Sequence, residues 1–112
     1  MKNKLILLAV LALTGCKSLE YVRSLDPVAK GETPKTVEAF MECISLKWST
    51  SGGQLSTLPL ANGMSIGQQQ PMGGYDVVLD AKRTANGTEY VLYERVPFLT
   101  SGSYQQSLKD CR

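Results

Sequence analysis

The sequence predicts a two-layer α+β domain: an N-terminal helix packed on a three- to four-stranded antiparallel meander, closed by a short C-terminal helix. Three observations carry this. Apolar residues recur at helical spacing between Val37 and Trp48. Two Asn-Gly pairs, at 62–63 and 86–87, punctuate short runs rich in strand-forming residues. Near the end, Tyr104, Leu108 and Cys111 return to the i, i+4, i+7 spacing of a helix face.

In chain order, the first segment is "MKNKLILLAVLALTGC". Lys2 and Lys4 precede nine consecutive apolar residues, Leu5 to Leu13. As a helix that run rises about 14 Å, too short for a hydrocarbon core of roughly 30 Å. Its flanks fit a secretory signal that is removed, residues 1–15. Leu13-Thr14-Gly15-Cys16 resembles a bacterial lipobox. The resemblance implies an S-diacylglyceryl group on the Cys16 thiol, cleavage before Cys16 and N-acylation, palmitate being a typical chain. A thiolate is the best nucleophile the chain offers for accepting lipid. The alternative is an ordinary signal that leaves Cys16 as a free thiol. Two or more acyl chains anchor stably where one is marginal. Lys17 follows the cysteine where, in such lipoproteins, an aspartate favours inner-membrane retention. The resemblance thus implies the outer membrane, the domain facing the periplasm, with surface exposure as the other possibility.

Residues 16–33 read as lipid anchor and tether. The stretch "KSLEYVRSLDPVAKGET" would reach at most about 58 Å extended and about 23 Å as a flexible coil. Leu19, Tyr21, Val22 and Leu25 make it less polar than a pure linker. It reads as a stem resting on the domain or membrane, or as a segment that folds on a partner.

The domain proper spans 34–112. In "TPKTVEAFMECISLKWS", Thr33 is placed to cap, Pro34 suits the first helical position, and Glu38 complements the positive helix end. Val37, Phe40, Met41, Ile44 and Trp48 form one apolar stripe, with Cys43 beside it. "SGG" at 51–53 ends the helix. Runs 55–61 and 64–69 flank Asn62-Gly63, a type I′ hairpin signal, and Pro59 puts the first of them at a sheet edge. In "GYDVVLDAK" (74–82), Tyr75, Val77, Leu79 and Ala81 alternate with Asp76, Asp80 and Lys82, predicting one buried and one wet face. In "TEYVLYERV" (88–96), Val91 and Tyr93 oppose Tyr90 and Leu92, so both faces are expected to be partly covered. "SYQQSLKDC" (103–111) is the closing helix.

The chain has 112 residues with a formal net charge of +2. Without residues 1–15 it keeps 97 residues, one small domain. Losing Lys2 and Lys4 reduces twelve basic residues to ten, against ten acidic. A balanced chain without a basic stripe gives no reason to expect nucleic acid. With Cys16 acylated, Cys43 and Cys111 are the remaining cysteines, and an oxidising periplasm favours a disulfide between them. That bond would staple the first helix to the last.

Gly63-Met64-Ser65-Ile66-Gly67 matches the G-x-S-x-G of a hydrolase nucleophile elbow. The elbow serine needs a base, usually histidine, and the chain has none. Its predicted hairpin context is also wrong for an elbow. Missing histidine removes the commonest general base and metal ligand, so no catalytic residue, metal or cofactor is expected. Asp76, Asp80, Lys82, Glu89 and Arg95 read as a solvated face with weak cross-strand ion pairs. Tyr90, Tyr93 and Tyr104 are candidate partner-binding anchors, since exposed tyrosines suit interfaces.

Cys43, Trp48, the "GGYDVVLDA" strand and Cys111 make residues 34–112 similar to a recurring kind of small, disulfide-bonded bacterial lipoprotein of uncharacterised activity. The expected function is a non-enzymatic, lipid-anchored envelope protein that binds a protein partner in assembly or maintenance. The alternative is an inhibitor or exclusion lipoprotein acting on a lysozyme or an outer-membrane phage receptor. Ser101-Gly102-Ser103-Tyr104 resembles the serine–glycine loop of membrane-bound lysozyme inhibitors, though that family is an all-β barrel. A carrier of lipid or glycan is a third class, for which the domain offers little room.

Overall fold

The computed structural model describes residues 19–50, 53–71, 73–97 and 102–112. The signal segment 1–15 and Cys16 lie outside these residues, as do Ser51 and Gly52 of the expected helix stop. The elements are α1 (Leu19–Arg23), β1 (Ala29–Thr33), α2 (Val37–Ser49), β2 (Gln54–Leu60), β3 (Gly63–Gln69), β4 (Tyr75–Thr84), β5 (Gly87–Glu94) and α3 (Ser103–Cys111). The strands form one antiparallel sheet in the order β1-β5-β4-β3-β2. The α+β class holds, with five strands and three helices among the described residues.

The additional elements come from the segment read as a tether. Residues Ala29–Thr33 pair with β5, from Ala29 opposite Leu92 to Thr33 opposite Thr88. "AKGET" carries no strand-like hydrophobic pattern, and its pairing is set by the partner strand. Its Gly31 is specific: a Cβ there would collide with the Tyr90 hydroxyl, which lies over it. Tyr90 in turn stacks on Phe40, ring centroids 5.1 Å apart.

α2 keeps the predicted stripe but starts later. Thr36, not Thr33, is the N-cap, its Oγ1 accepting from the Ala39 amide at 3.1 Å. Thr33 ends β1 instead, its Oγ1 accepting from the Lys35 amide, and Pro34 sits in the connection. Val37, Phe40, Met41, Ile44 and Trp48 are all buried against Ile66, Val77, Leu79, Ala81, Tyr90 and Leu92. The same cluster takes in Leu108 and Cys111 from α3. The Cys43–Cys111 disulfide joins the two helices, Cα atoms 5.7 Å apart and 68 positions apart in sequence. Closing a loop of that length removes denatured-state entropy worth about 4 kcal/mol.

Both hairpins form, with different turn chemistry from that expected. Leu60 pairs with Gly63, so the two-residue loop is Ala61-Asn62, and only Asn62 (φ 61°) adopts a left-handed conformation. A type I′ turn needs both residues there. At the second hairpin Thr84 pairs with Gly87, whose φ is 147°. A Cβ at Gly87 would strike the Thr33 carbonyl oxygen, so glycine is required where this turn passes the β1–α2 connection. Pro59 lies on β2, which is indeed an edge strand.

The largest difference concerns the second face of the sheet. In β4 the alternation is broken between Tyr75 and Val77, where the register with β3 shifts. The ring of Tyr75 consequently lies over Gly67 rather than on the helix face with Val77. Val78, on the side expected to be wet, is completely buried. Its cover is α1, which packs on β4 and β5 and buries Val22.

Candidate functional site

Residues opposite one another across the ladders share a face. Ser65, Asp80, Val91 and Lys30 therefore form one row of the second face, with Leu58 beside Ser65. Leu58, Leu60, Val91 and Tyr93 are half-buried there. α1 crosses this face and is held by a polar clasp. Arg23 Nε donates to Asp80 Oδ2 at 2.9 Å, and Arg23 Nη2 donates to Asp80 Oδ1 at 2.8 Å. The same Nη2 reaches Ser65 Oγ at 3.1 Å, and Ser65 Oγ donates to Asp80 Oδ1 at 2.7 Å. Every member is satisfied by another.

The clasp is partly shielded from water, the Arg23 and Asp80 side chains being 28 % and 14 % exposed. The hydrogen bonds that Arg23 donates to Asp80 raise the Arg23 pKa further, against the opposing effect of burial, and the nearby Asp80 charge adds to the rise. A bidentate guanidinium–carboxylate pair is among the stronger polar contacts available to a protein.

This assigns Ser65 a definite role. It is fully buried in the middle of β3, not at a strand-to-helix turn. Its hydroxyl donates to a carboxylate already neutralised by arginine, which orients the serine without making it basic. The G-x-S-x-G spacing supplies a clasp residue, with Gly67 leaving room for Tyr75.

A second polar cluster lies where β3, β4 and β5 meet α3. Arg95 Nη2 contacts Asp76 Oδ1 at 3.2 Å, and Gln70 Nε2 donates to the same oxygen. The Tyr104 hydroxyl donates to Gln68 Oε1, and its ring meets Trp48 edge-on, centroids 5.0 Å apart. Burial first, then the Asp76 and Glu94 negative charges, push the Tyr104 pKa above its ordinary value. The phenol remains a hydrogen-bond donor at neutral pH. Among the described residues no three His, Cys, Asp or Glu side chains converge as a metal site.

The three tyrosines named from sequence do not converge. Tyr90 is 3 % exposed, a core residue on the helix face, and is withdrawn as a binding anchor. Tyr93 is half-buried on the second face, and Tyr104 is half-buried in the first turn of α3. Among the described residues, the large apolar side chains that protrude are Tyr21, 45 % exposed on α1, and Leu46, 65 % exposed on α2. Leu46 borders a shallow groove between α2 and α3, with the Lys47–Asp110 ion pair at 3.7 Å across it. Gly102 (φ 74°) caps α3, so Ser103 and Tyr104 of the serine–glycine stretch begin a helix.

Asp80 was read from sequence as a solvated residue. Its real partner, Arg23, is 57 positions away, and no local pattern announces such a pairing. The one available signal was Val22-Arg23 within a stretch too apolar for a plain linker. No helix among the described residues is long and apolar enough to cross a membrane. Comparison with protein-family models, curated proteins and solved structures finds no match to this chain.

Proposed function

We propose that this is a lipid-anchored protein of the bacterial cell envelope, held in the outer membrane through acyl groups on Cys16, which acts by binding a protein partner rather than by catalysis. The observation that carries the reading is the division of the cysteines. Cys43 and Cys111 are bonded to each other, as suits an oxidising compartment. That leaves Cys16, inside Leu13-Thr14-Gly15-Cys16, as the cysteine available for lipid. The rest of the reading draws on chemistry: the sequence has no histidine, and its G-x-S-x-G serine is committed to a clasp.

The test is in-cell crosslinking of the full, lipidated chain, followed by recovery of the crosslinked species. The expected result is a recurrent envelope-protein adduct that diminishes when Leu46→Glu is introduced on α2. Recovery of a lysozyme or an outer-membrane receptor would move the reading to inhibition or exclusion. No recurrent adduct under conditions that capture known envelope complexes would overturn partner binding.

A further inference from the structure

A free tether would let the domain roam tens of ångströms from its membrane, but residues 19–33 are not free. Leu19, the first described residue, is already in α1, and in sequence Lys17 and Ser18 stand between it and Cys16. Three Cα steps reach at most about 11 Å. The thioether and amide of an acylated cysteine sit where the chains enter the hydrocarbon, and the headgroup layer above is roughly 5–8 Å thick. Leu19 therefore begins within or just above the headgroups. α1 is five residues long, about 7 Å, so all of it lies within about 18 Å of Cys16.

What α1 carries with it follows from the clasp. Val22 is buried against the sheet, and Arg23 is fixed to Asp80 and Ser65. While those contacts hold, the second face of the sheet stays within the same short reach of Cys16. Tyr21, 45 % exposed on the same helix, has the amphipathic ring that favours the headgroup level. Around it the face offers half-buried Leu58, Leu60, Val91 and Tyr93, with exposed Lys30 and Lys82 against Glu32 and Glu89. That balance of charge gives no attraction for anionic lipid in particular.

We propose that the second face of the sheet, led by α1, is a membrane-docking surface whose occupant is the phospholipid layer that holds Cys16. The Arg23–Asp80–Ser65 clasp makes the domain sit flush instead of on a flexible leash. The inference rests on the lipid anchor proposed above and deepens it: the surface left to a protein partner is the outward side of α2 and α3.

The experiment uses the full lipidated chain in phosphatidylcholine–phosphatidylglycerol vesicles, with tryptophan placed by Tyr21→Trp or Leu46→Trp and with bromine-labelled acyl chains as quencher. Trp48, present in both, is the buried reference. Tyr21→Trp should be quenched several-fold more than Leu46→Trp, at any phosphatidylglycerol fraction. In parallel, an impermeant amine reagent should label Lys30 and Lys82 several-fold more slowly than in the unlipidated Cys16→Ser protein, with Lys47 and Lys109 unchanged. Arg23→Gln, or Asp80→Asn if the first variant fails to fold, should abolish that protection while the protein stays vesicle-bound. Equal quenching at positions 21 and 46, or uniform labelling on vesicles, overturns the inference and leaves the anchor intact. A Cys16 without lipid overturns the anchor itself, a distinct result read from the protein's mass.

Discussion

The two faces of the sheet are built by different means. The helix face is an apolar core: α2 and α3 lay Val37, Phe40, Ile44, Trp48 and Leu108 onto Ile66, Leu79 and Leu92, and a disulfide fixes the helices to each other. The second face is covered by one five-residue helix, α1, and depends on an arginine for attachment. A helix of that length has no stability of its own. The helix face therefore supplies most of the folding free energy, while the second face supplies a defined attachment for the N-terminal segment. The contrast separates what makes the domain stable from what holds its N-terminal segment.

The predicted effects rank accordingly. Replacing Cys43 and Cys111 together by alanine should cost about 4 kcal/mol, seen as a large fall in the denaturant midpoint; an unchanged midpoint would show that the staple is not what holds α3. Arg23→Met comes next. It leaves the partly buried Asp80 and the fully buried Ser65 without their donor, at roughly 2 kcal/mol. Asp80→Asn should cost a similar amount, and the double variant clearly less than the sum of the two. Simple additivity would mean that the two side chains are not coupled.

Smaller effects follow from ionisation. The Tyr104 pKa is raised above its ordinary 10.0, mainly by burial. Its neutral form is thus the one the fold favours. That contribution is fully present below the unfolded value and is lost as pH rises through the folded one. Wild-type stability should fall more steeply on the alkaline side of pH 10 than that of Tyr104→Phe. Smallest is Glu38, whose pKa is lowered by a backbone hydrogen bond at its own position and then by Arg83. Here the sign reverses: the contribution is present above the unfolded value of 4.5 and is lost as pH falls through the folded one. Glu38 is exposed, so salt should screen the effect of Glu38→Gln.

The same division explains what could be read from sequence. The α2 stripe, the α3 spacing, both hairpins and the edge position of Pro59 were legible because each is a local periodicity or turn signal. The second face was not. β1 has no pattern of its own and takes its register from β5. The Tyr75 side assignment failed because one irregularity at 75–77 reverses parity, which alternation cannot foresee. Alternation puts Asp80 on a wet face, because the cover of that side comes from Val22 and Arg23, far away in the chain. Tyr90 and Tyr93 are alternate-face neighbours whose burial depends on which side receives the long helices. The G-x-S-x-G stretch was legible as chemically incomplete, since no histidine exists, but its clasp role required Arg23 to be in place.

The account turns on one cysteine carrying lipid while the other two are bonded to each other. Its most direct test is the mass of the native product isolated from membranes, with a non-reducing peptide map. The expected product is a chain beginning at Cys16, heavier by a diacylglyceryl and an acyl group, with Cys43 and Cys111 in one linked peptide pair. A chain retaining residues 1–15, or a Cys16 thiol found bare or joined to another cysteine, would contradict it.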